Sequence, residues 1–504
     1  MRKFEDNLNL ERREFIRLLA IGATGIFLSA CGIDPDKNST DTDQNEKPKP
    51  KKDSVPLSEN KTDEPLISNE NVTFIKKGDL QYEELRHGHN KRFNKFPAII
   101  ALCENEKGVV HAINYAKKNN LPVAVKSGGH SLEGLSANDG GMVINLSKFK
   151  TIEYLENDQI NLGPASTLAE LYATLLPEGK ILPGGSCGGV AVAGLSLGGG
   201  YGMYARKWGL TCDHLLEVTM VDGKGNLVNS KDDPELLWAC RGGGSGNFGV
   251  ITSMKFQTHK APATMTSHRF RKFKTSAEDA ADLMSKWFDL TKDLPHSCFS
   301  VFIVSSKTCF ILFTNFEKET EEVKNIVEQF SALTEKVSLG KPQKLESAVQ
   351  NFYGVQTPVY AKNSSVGLYK DFEELRSFII PTIEKIQNTP GMLLSIGTLG
   401  GKIDDAEFEK GSAFPHRKFH YLSELQTYWK KEEQGEKMIN AYQEVRDIFQ
   451  NNGIKREYFN YPDLGFKNWE TAYYGENYSR LQQVKKKYDP ENLIRHEQSI
   501  KLPS

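Results

Sequence analysis

The stretch 183–202 reads PGGSCGGVAVAGLSLGGGYG, and the organisation of the whole chain can be worked out from it. It holds nine glycines, one cysteine and no charged side chain. Glycine lets the backbone approach a neighbour closely, but each glycine costs roughly 0.5–1 kcal/mol of conformational entropy relative to alanine. This cost predicts a large, flat bound partner whose contacts with the backbone offset it. Cys187 then supplies the one reactive atom that faces this partner.

Two more glycine-rich stretches repeat the pattern. Residues 126–130 read KSGGH, with His130 as the reactive side chain, and residues 241–249 read RGGGSGNFG. A ligand that contacts all three stretches must be elongated, with a ring and a phosphate-bearing part. The GxGxxG match at 244–249 leads into VITSMKF, which predicts a strand, whereas a Rossmann fingerprint opens a helix. The segment GGGYG lacks the Lys-Ser/Thr pair of a P-loop, so that motif is excluded as well.

Composition narrows the class of protein. A chain of 504 residues is long enough for two or three domains. Lysine and arginine number 64 and aspartate and glutamate 65, so the charge does not favour nucleic acid as a partner. The seven cysteines show no CxxC spacing and predict neither a metal site nor a disulfide scaffold. In a predicted hairpin that turns near Ser306, Cys309 faces about Phe302, so a disulfide from Cys309 to Cys298 is not expected.

The first 70 residues predict an export signal and a tether. Arg12 and Arg13 form a twin-arginine pattern with Glu11 in place of the usual Ser or Thr, so both the twin-arginine and the general secretory route stay open. The apolar run 18–30 is too short to span a membrane and fits a signal peptide over residues 1–30. The LSACG segment resembles the bacterial lipobox, which implies lipidation of Cys31. The polar residues 31–70 then predict a disordered tether to a bacterial membrane, on its periplasmic or cell-surface face.

Strand, loop and helix signals alternate through the first globular part. Apolar residues at helical spacing predict a helix over 106–119, and short apolar runs predict strands at 123–125 and 142–146. Thr167 and Glu170 form a capping box that opens another helix. This alternation indicates an α+β protein with mixed sheets.

The sequence pattern changes beyond about residue 269. Glycine loops become rare, and predicted strands at 299–304 and 310–314 alternate with predicted helices at 276–290 and 317–333. Closely spaced motifs return near residue 455, and the last of them predicts a helix that ends before Asp489. We therefore expect a second, strand-rich domain between two motif-rich segments.

Six motifs, taken in order, resemble one family. They read KSGGHSLEG, PGGSCGGVAVAGLSLGGGYG, LLWACRGGGSGNFGVIT, GGKI with FPHR, YFNYPDL, and RLQQVKKKYDPENLI with QSI. Over residues 90–500 the chain resembles the berberine-bridge-enzyme-like flavin oxidases, which have the vanillyl-alcohol-oxidase or PCMH type of FAD-binding fold. The resemblance implies an α+β fold with a two-part FAD-binding domain, residues 71–262 and 453–504. An antiparallel-sheet substrate domain, residues 263–452, would be inserted between the two parts.

The resemblance also implies FAD attached at two points. His130 matches the histidine bonded to the flavin 8α-methyl group and Cys187 the cysteine bonded to flavin C6, and both bonds would make the flavin a stronger oxidant. The other cofactor-binding residues implied are Lys126, Ser127, Gly128, Gly129, Ser131, Gly188, Val190, Gly194, Gly198, Gly199, Gly200, Tyr201, Gly202, Gly246, Asn247, Gly249, Val250 and Asn460. Lys126 stands where the family usually has arginine, and VAVAG at 190–194 is bulkier than the common VGVGG. In the family, the residue three positions after the cysteine controls the access of oxygen to the flavin. Val190 stands at this position and resembles the residue of the oxygen-reactive members.

Two tyrosines are the catalytic candidates. By resemblance Tyr458 is the base that takes the substrate's hydroxyl proton, with Tyr461 second. A phenolate near neutral pH needs a pKa well below about 10, which requires nearby cations or hydrogen-bond donors. The alternative is a strand whose aromatic residues alternate into the core. Substrate-side polar groups are predicted at Lys362, Tyr369, His416 and Arg417.

Several functions remain open at this point. The first is an exported oxidase that takes hydride from a sugar, oligosaccharide or other small alcohol onto FAD and passes electrons to O2. A dehydrogenase with another electron acceptor is the second, and a lipid-anchored, non-catalytic flavoprotein or glycan-binding protein is the third. The presence of His130, Cys187 and Tyr458 together favours an enzyme. Membrane contact is expected through the lipid alone.

Overall fold

The computed structural model describes residues 67–504. The predicted signal peptide 1–30, Cys31 and the predicted tether up to residue 66 lie outside the described residues. Among the helices of the described part, none has both the length and the apolar character needed to cross a membrane.

Helices and sheets alternate through the described residues, which confirms the α+β fold class. The strands are β1 Val72–Ile75, β2 Ile99–Cys103, β3 Val123–Lys126, β4 Met142–Asn145, β5 Ile152–Tyr154, β6 Gln159–Leu162, β7 Lys180–Ile181, β8 Leu215–Asp222, β9 Leu227–Asn229, β10 Gly249–Gln257, β11 His259–Lys260, β12 Thr264–Phe273, β13 Cys298–Ser305, β14 Thr308–Asn315, β15 Lys336–Ser338, β16 Gln343–Lys344, β17 Tyr360–Tyr369, β18 Met392–Thr398 and β19 Tyr421–Trp429. The α-helices are Tyr82–Arg86, Glu106–Lys118, Leu168–Leu175, Val192–Leu197, Ala205–Trp208, Pro234–Cys240, Ala277–Thr291, Glu321–Ala332, Leu345–Gln350, Glu373–Arg376, Ile379–Gln387, Ala406–Lys410, Gly435–Asn451, Trp469–Tyr474 and Tyr478–Tyr488.

A four-stranded sheet carries the KSGGH stretch. Its strand order is β1-β2-β4-β3, with β1 antiparallel to β2 and the other pairs parallel. The helix Glu106–Lys118 packs its apolar face on this sheet, and Asn105 caps it by accepting from the N–H of Gly108. Strand β3 ends at Lys126, so the chain leaves the sheet edge directly into the loop that bears His130.

A five-stranded antiparallel sheet follows, with the order β5-β6-β10-β8-β9. The third glycine-rich stretch ends where β10 begins, at Gly249. A strand, and not a helix, therefore follows GSGNFG, which confirms the rejection of a Rossmann fingerprint.

An eight-stranded antiparallel sheet is built from strands between residues 264 and 429. Alternate side chains of a strand point to opposite faces. Val301 and Ile303 of β13 pack with the core that includes Leu168, whereas Phe302 and Val304 pack against the helix Ala277–Thr291. The sheet thus lies between a layer of helices and the glycine-rich part of the protein. The domain boundaries drawn from the sequence remain predictions.

The β13–β14 hairpin forms at the expected place, with a shifted register. Ser306 adopts a φ of 47° in the turn, and Cys309 pairs with Val304, not with Phe302. The expected partner was wrong because the two turn residues are Ser306 and Lys307, so the centre of the turn lies one position further along the chain than assumed. Cys298 pairs with Asn315, and no disulfide joins Cys298 to Cys309.

The C-terminal segment returns to the first two sheets. Val123 of β3 forms a parallel bridge with Ile494, and the N–H of Ile500 donates to Oδ1 of Asn247. Buried Lys485 donates to the carbonyls of Asn247 and Ile494 and pairs with Asp489 at 2.7 Å. The tail therefore holds the third glycine-rich loop in place.

Candidate active site

The three glycine-rich stretches and the YFNY segment meet at one cavity. Of the residues predicted to bind the cofactor or to act in catalysis, the lining includes Ser127, Gly128, Gly129, His130, Ser131, Cys187, Val190, Gly194, Tyr201, Gly202, Gly246, Gly249, Tyr458, Asn460 and Tyr461. Residues that the sequence did not single out also line it, among them His89, Asn363, Glu424, Tyr428 and His496. The cavity is lined by residues of all three loops, as a ligand that joins a ring to a phosphate-bearing part requires.

Seven residues that were predicted to bind the cofactor do not line the cavity; they are Lys126, Gly188, Gly198, Gly199, Gly200, Asn247 and Val250. Lys126 Nζ donates to the carbonyls of Leu85 and His87, and burial lowers the pKa of Lys126 to about 8. Asn247 Nδ2 donates to the carbonyl of Gly243. These side chains fasten the loops to the scaffold.

His130 is held as a neutral imidazole. Burial is the main cause that lowers the pKa of His130 to about 3, and the neighbouring His89 adds to it. A neutral imidazole keeps a lone pair on one ring nitrogen, which is the form that can act as a nucleophile. The sequence placed His130 here through KSGGH but gave no sign of His89.

The Cys187 loop is covered by a segment from the strand-rich part. The N–H of Gly188 donates to the carbonyl of Tyr353 at 3.0 Å. A Cβ at Gly188 would lie 2.9 Å from Cγ of Tyr353, so this glycine is needed for the close approach. The loop is thereby placed with Cys187 on the cavity side.

Three N–H groups converge on the hydroxyl oxygen of Tyr458. They belong to the backbone of Gly200 at 2.9 Å, the backbone of Tyr201 at 3.1 Å and the side-chain amide of Asn460 at 2.9 Å. A hydroxyl has two lone pairs and a phenolate has three, so three donors favour the phenolate. Burial has the larger and opposite effect and raises the pKa of Tyr458 to about 12.

The expected lowering of the Tyr458 pKa is therefore not found. A lowered pKa needs a cation close to the oxygen to offset desolvation. None of the described residues that line the cavity is a lysine or an arginine. The three donors reduce the effect of burial but carry no full charge.

A tight turn places both tyrosines. The N–H of Tyr461 donates to the carbonyl of Tyr458 at 2.9 Å, and the two rings lie edge to face with centroids 5.0 Å apart. The segment is not a strand, so the alternative of alternating core aromatics does not hold for it. Both rings reach the same cavity.

The glycine turn after the helix Val192–Leu197 supplies two of the donors. Gly199 and Gly200 adopt φ values of 124° and 90°, which side-chain-bearing residues rarely adopt. A Cβ at Gly200 would lie 2.3 Å from Oγ1 of Thr211. The turn is braced by the N–H groups of Thr211 and Cys212, which donate to the carbonyls of Gly200 and Gly199.

Glu424 is the acid–base group that sequence reasoning missed. It lies on β19, which also carries Gln426 and Tyr428 on the same face because side chains alternate along a strand. Tyr428 donates to Oε1 of Gln426, and Gln426 Nε2 donates to Oε2 of Glu424 at 2.8 Å. Burial raises the pKa of Glu424 to about 8. The alternation E-L-Q-T-Y at 424–428 was the signal that could have found it.

The four predicted substrate-side groups do not line the cavity. Lys362 Nζ pairs with Glu133 at 2.7 Å and Asp463 at 2.8 Å. The Tyr369 hydroxyl donates to the carbonyl of Val366, Arg417 pairs with Asp213 at 2.5 Å, and His416 is buried away from the cavity. The expectation was wrong for Lys362 and Arg417 because a buried charge needs a charged partner, and both side chains are turned to carboxylates inside the protein.

Comparisons with known proteins point the same way. The family described as FAD binding domain matches residues 97–231, and the family described as berberine and berberine like matches residues 457–501. An uncharacterised FAD-linked oxidoreductase of Bacillus subtilis, YgaK, is 30% identical over 440 residues, which cover 85% of this chain and 96% of that protein. The chain belongs to the berberine-bridge-enzyme-like family of FAD-linked oxidoreductases.

Solved structures of this family share the fold. A chitooligosaccharide oxidase superposes with a TM-score of 0.78 at 24% identity, covering 86% of this chain and 98% of that one. Aclacinomycin oxidoreductase superposes with a TM-score of 0.77 at 25% identity, covering 86% and 100%. The resemblance drawn from the six motifs is thereby confirmed, as is FAD as the cofactor.

The cavity fits the cofactor of this family. Seven glycines of the three loops bring bare backbone to its walls, which suits a broad planar ring; they are Gly128, Gly129, Gly185, Gly194, Gly202, Gly246 and Gly249. His130 and Cys187 reach the same cavity, and each can form a bond to carbon. The residues present are therefore compatible with FAD.

Proposed function

We propose that this flavoprotein oxidises an alcohol group of a sugar, an oligosaccharide or another small molecule and passes the electrons to O2. The observation that carries the proposal is one cavity shared by His130, Cys187, Tyr458 and Glu424. Two of these side chains can hold the flavin and two can handle the substrate proton. That a chitooligosaccharide oxidase has the same fold supports carbohydrates as substrates.

The cofactor is proposed to be attached twice, through His130 to the 8α-methyl carbon and through Cys187 to C6. FAD, when bound, accepts a hydride and returns two electrons to an acceptor. The chain's own contribution is to hold the ring and to exclude water from it. Two bonds would make the orientation independent of non-covalent affinity.

The substrate hydroxyl must lose a proton as its carbon loses hydride. A general base works best when its pKa lies near the operating pH. Burial raises the pKa of Glu424 to about 8 and that of Tyr458 to about 12, so Glu424 is closer to neutrality. We assign the proton transfer to Glu424. Tyr458 is the second candidate, because three N–H donors would stabilise its phenolate.

Val190 supports O2 as the acceptor. It lines the cavity three residues after Cys187, and its N–H donates to the Cys187 carbonyl at 3.2 Å, so its small side chain lies beside the cysteine loop. Two alternatives compete with this proposal. One is a dehydrogenase that uses another electron acceptor, and the other is a flavoprotein that does not turn over a substrate.

The protein is proposed to act outside the cytoplasm, anchored by a lipid on Cys31. The support is the LSACG segment after a short apolar run. Mass spectrometry of the N-terminus tests it, with diacylglycerol on Cys31 as the expected result. Recovery of the protein with Met1 intact and no lipid would contradict it.

Two measurements test the catalytic proposal. Acid-denatured wild-type protein should stay yellow, the single variants His130→Ala and Cys187→Ala should each retain flavin, and the double variant should release it. A screen of sugars and alcohols should then give peroxide with at least one substrate. Turnover with a dye acceptor alone would favour a dehydrogenase. Release of all flavin by the acid-denatured wild-type protein would show that the flavin is not covalently attached.

A further inference from the structure

His89 stacks on His130. The two ring centroids are 4.3 Å apart and the ring planes differ by 16°. Both side chains line the cavity. A parallel ring at this distance covers one face of the His130 imidazole and leaves it little freedom to rotate.

The backbone of His89 is fastened by two separate segments. Its N–H donates to the carbonyl of Gly129 at 2.9 Å, directly before His130, and its carbonyl accepts from the N–H of Val359 at 3.0 Å. The next residue, Asn90, donates to the carbonyls of Leu132 at 2.9 Å and Ala361 at 3.0 Å. The position of the His89 ring is thus set by the loop that bears His130 and by the strand-rich part.

Gly189 constrains the edge of the same imidazole. A Cβ at this position would lie 2.7 Å from Nε2 and 3.1 Å from Cε1 of His130. The ring edge therefore rests on bare backbone that a side chain would displace. Gly189 has no left-handed φ, so an alanine there acts through steric contact, which is closest with His130 and extends to Oε1 of Gln356 at 3.3 Å.

We propose that His89 is a positioning residue for the covalent attachment of FAD, and that its ring, together with the backbone at Gly189, fixes the plane of the His130 imidazole for bond formation. This rests on the histidyl link proposed above. In the step, a ring nitrogen of His130 forms a bond to the 8α carbon. One proton leaves the imidazole and one leaves that carbon, the remaining electron pair reduces the flavin, and O2 takes up both electrons and both protons as hydrogen peroxide.

The test uses full-length protein carrying Cys187→Ala, so that the histidyl link alone can retain flavin after acid treatment. The variants His89→Ala, His89→Phe and Gly189→Ala are added to this parent. Freshly purified protein is incubated with FAD, and acid-stable flavin is followed by fluorescence while total bound flavin is measured before acid. Misplacing a reacting group by about 1 Å can slow a reaction on the order of 10²-fold, so His89→Ala and Gly189→Ala should attach flavin at least about tenfold more slowly.

His89→Phe separates orientation from a general loss of fold. A phenyl ring keeps the stacked face, so this variant should attach flavin at close to the parent rate. Normal total binding with slow attachment in His89→Ala, rescued in His89→Phe, is the expected pattern. Equal attachment rates in the parent and in His89→Ala would overturn the role of His89 while leaving the link at His130 in place. Absence of acid-stable flavin in the parent would remove the histidyl link itself, and the role of His89 with it.

Discussion

At the scale of single residues, Glu424 offers the sharpest prediction. Glu424→Gln keeps the shape and the contact with Gln426 but cannot accept a proton. The rate of flavin reduction should fall roughly 10²–10⁴-fold, as is typical when a general base is lost. The wild-type rate should rise through about pH 8, where the buried carboxyl ionises, and this step should vanish in the variant. Stopped-flow reduction across pH measures both, and an unchanged pH profile would exclude Glu424 as the base.

The same carboxyl also affects stability. The pKa of Glu424 is raised from 4.5 to about 8 on folding. Between these pH values the unfolded chain releases the proton and the folded protein keeps it, so the free energy of unfolding should fall as pH rises from about 4.5 to about 8. Denaturant titrations of wild type and Glu424→Gln should differ in this slope, which the variant lacks.

Tyr458→Phe tests the second candidate for the base. It removes one hydroxyl and leaves the N–H groups of Gly200 and Tyr201 without their acceptor, while the Asn460 amide keeps its hydrogen bond to the carbonyl of Leu195. Flavin reduction should slow by less than in Glu424→Gln, and the ionisation near pH 8 should remain. Tyr461→Phe is the matched control, since its ring lies in the same turn. Loss of the pH-dependent step in Tyr458→Phe, with the step retained in Glu424→Gln, would return the role of base to the tyrosine.

Val190→Leu tests the electron acceptor. A larger side chain beside the cysteine loop should slow reoxidation of the reduced flavin by O2 while leaving reduction by substrate near its wild-type rate. Reoxidation by an artificial dye serves as the control, because it need not pass the same position. The expectation fails if O2 reoxidises both proteins at the same rate.

At the scale of elements, the glycine turn at 198–200 should be sensitive to substitution. Gly200→Ala adds a Cβ 2.3 Å from Oγ1 of Thr211 and forces alanine to a φ of 90°. The free energy of unfolding should fall by at least about 1–2 kcal/mol, the cost of left-handed backbone for a residue with a Cβ. The donors to Tyr458 should shift at the same time.

Gly194→Ala is the matched comparison, in the helix Val192–Leu197 that precedes the turn. A Cβ there has no protein atom within 4 Å, and Gly194 lines the cavity. Stability of the flavin-free protein should hold or rise by about 0.5–1 kcal/mol, since alanine favours helix over glycine. Weaker retention of FAD in Gly194→Ala would show that the cofactor occupies this side of the cavity. Equal destabilisation by both substitutions would contradict the steric argument.

At the scale of the whole molecule, a buried ion cluster joins three distant segments. Lys362 of β17 pairs with Glu133, near the His130 loop, and with Asp463, after the YFNY turn. Arg92 also pairs with Glu133 at 2.7 Å, and Arg446 lies 3.2 Å from Asp463. Burial opposes the ionised form of Asp463, but Lys362 and Arg446 outweigh it, so the pKa of Asp463 lies below its usual value.

Lys362→Met should therefore destabilise the protein strongly. Removing one partner of a buried ion pair leaves uncompensated charge and typically costs about 3–5 kcal/mol. Lys324→Met is the control, because Lys324 pairs with Glu321 on an exposed helix surface, where such pairs contribute little. Chemical denaturation of both variants measures the difference, and similar unfolding midpoints would show that the cluster does not hold the three segments together.

Much of this protein was determined by local sequence. The KSGGH and GGSCGG stretches, the capping box at Thr167 and the β13–β14 hairpin depend on glycine conformations, caps and periodicities that act within a few residues, so reading the chain in order was enough to find them. The order of the motifs was sufficient to identify the family. The strand after GSGNFG likewise excluded a dinucleotide fold of the Rossmann type.

Only the tertiary structure decided which polar groups face the cavity. Lys362 and Arg417 were predicted to face the substrate, yet both are turned to buried carboxylates. Glu424 lies in none of the six motifs and reaches the cavity through the alternation of β19. The pKa of Tyr458 also depended on the whole fold. Burial by segments from distant parts of the chain raises it, and no lysine or arginine lines the described cavity to lower it. Contacts between segments far apart in the chain, such as the stack of His89 on His130 or the ion cluster at Lys362, are set by packing and desolvation, and a linear pattern carries no record of them.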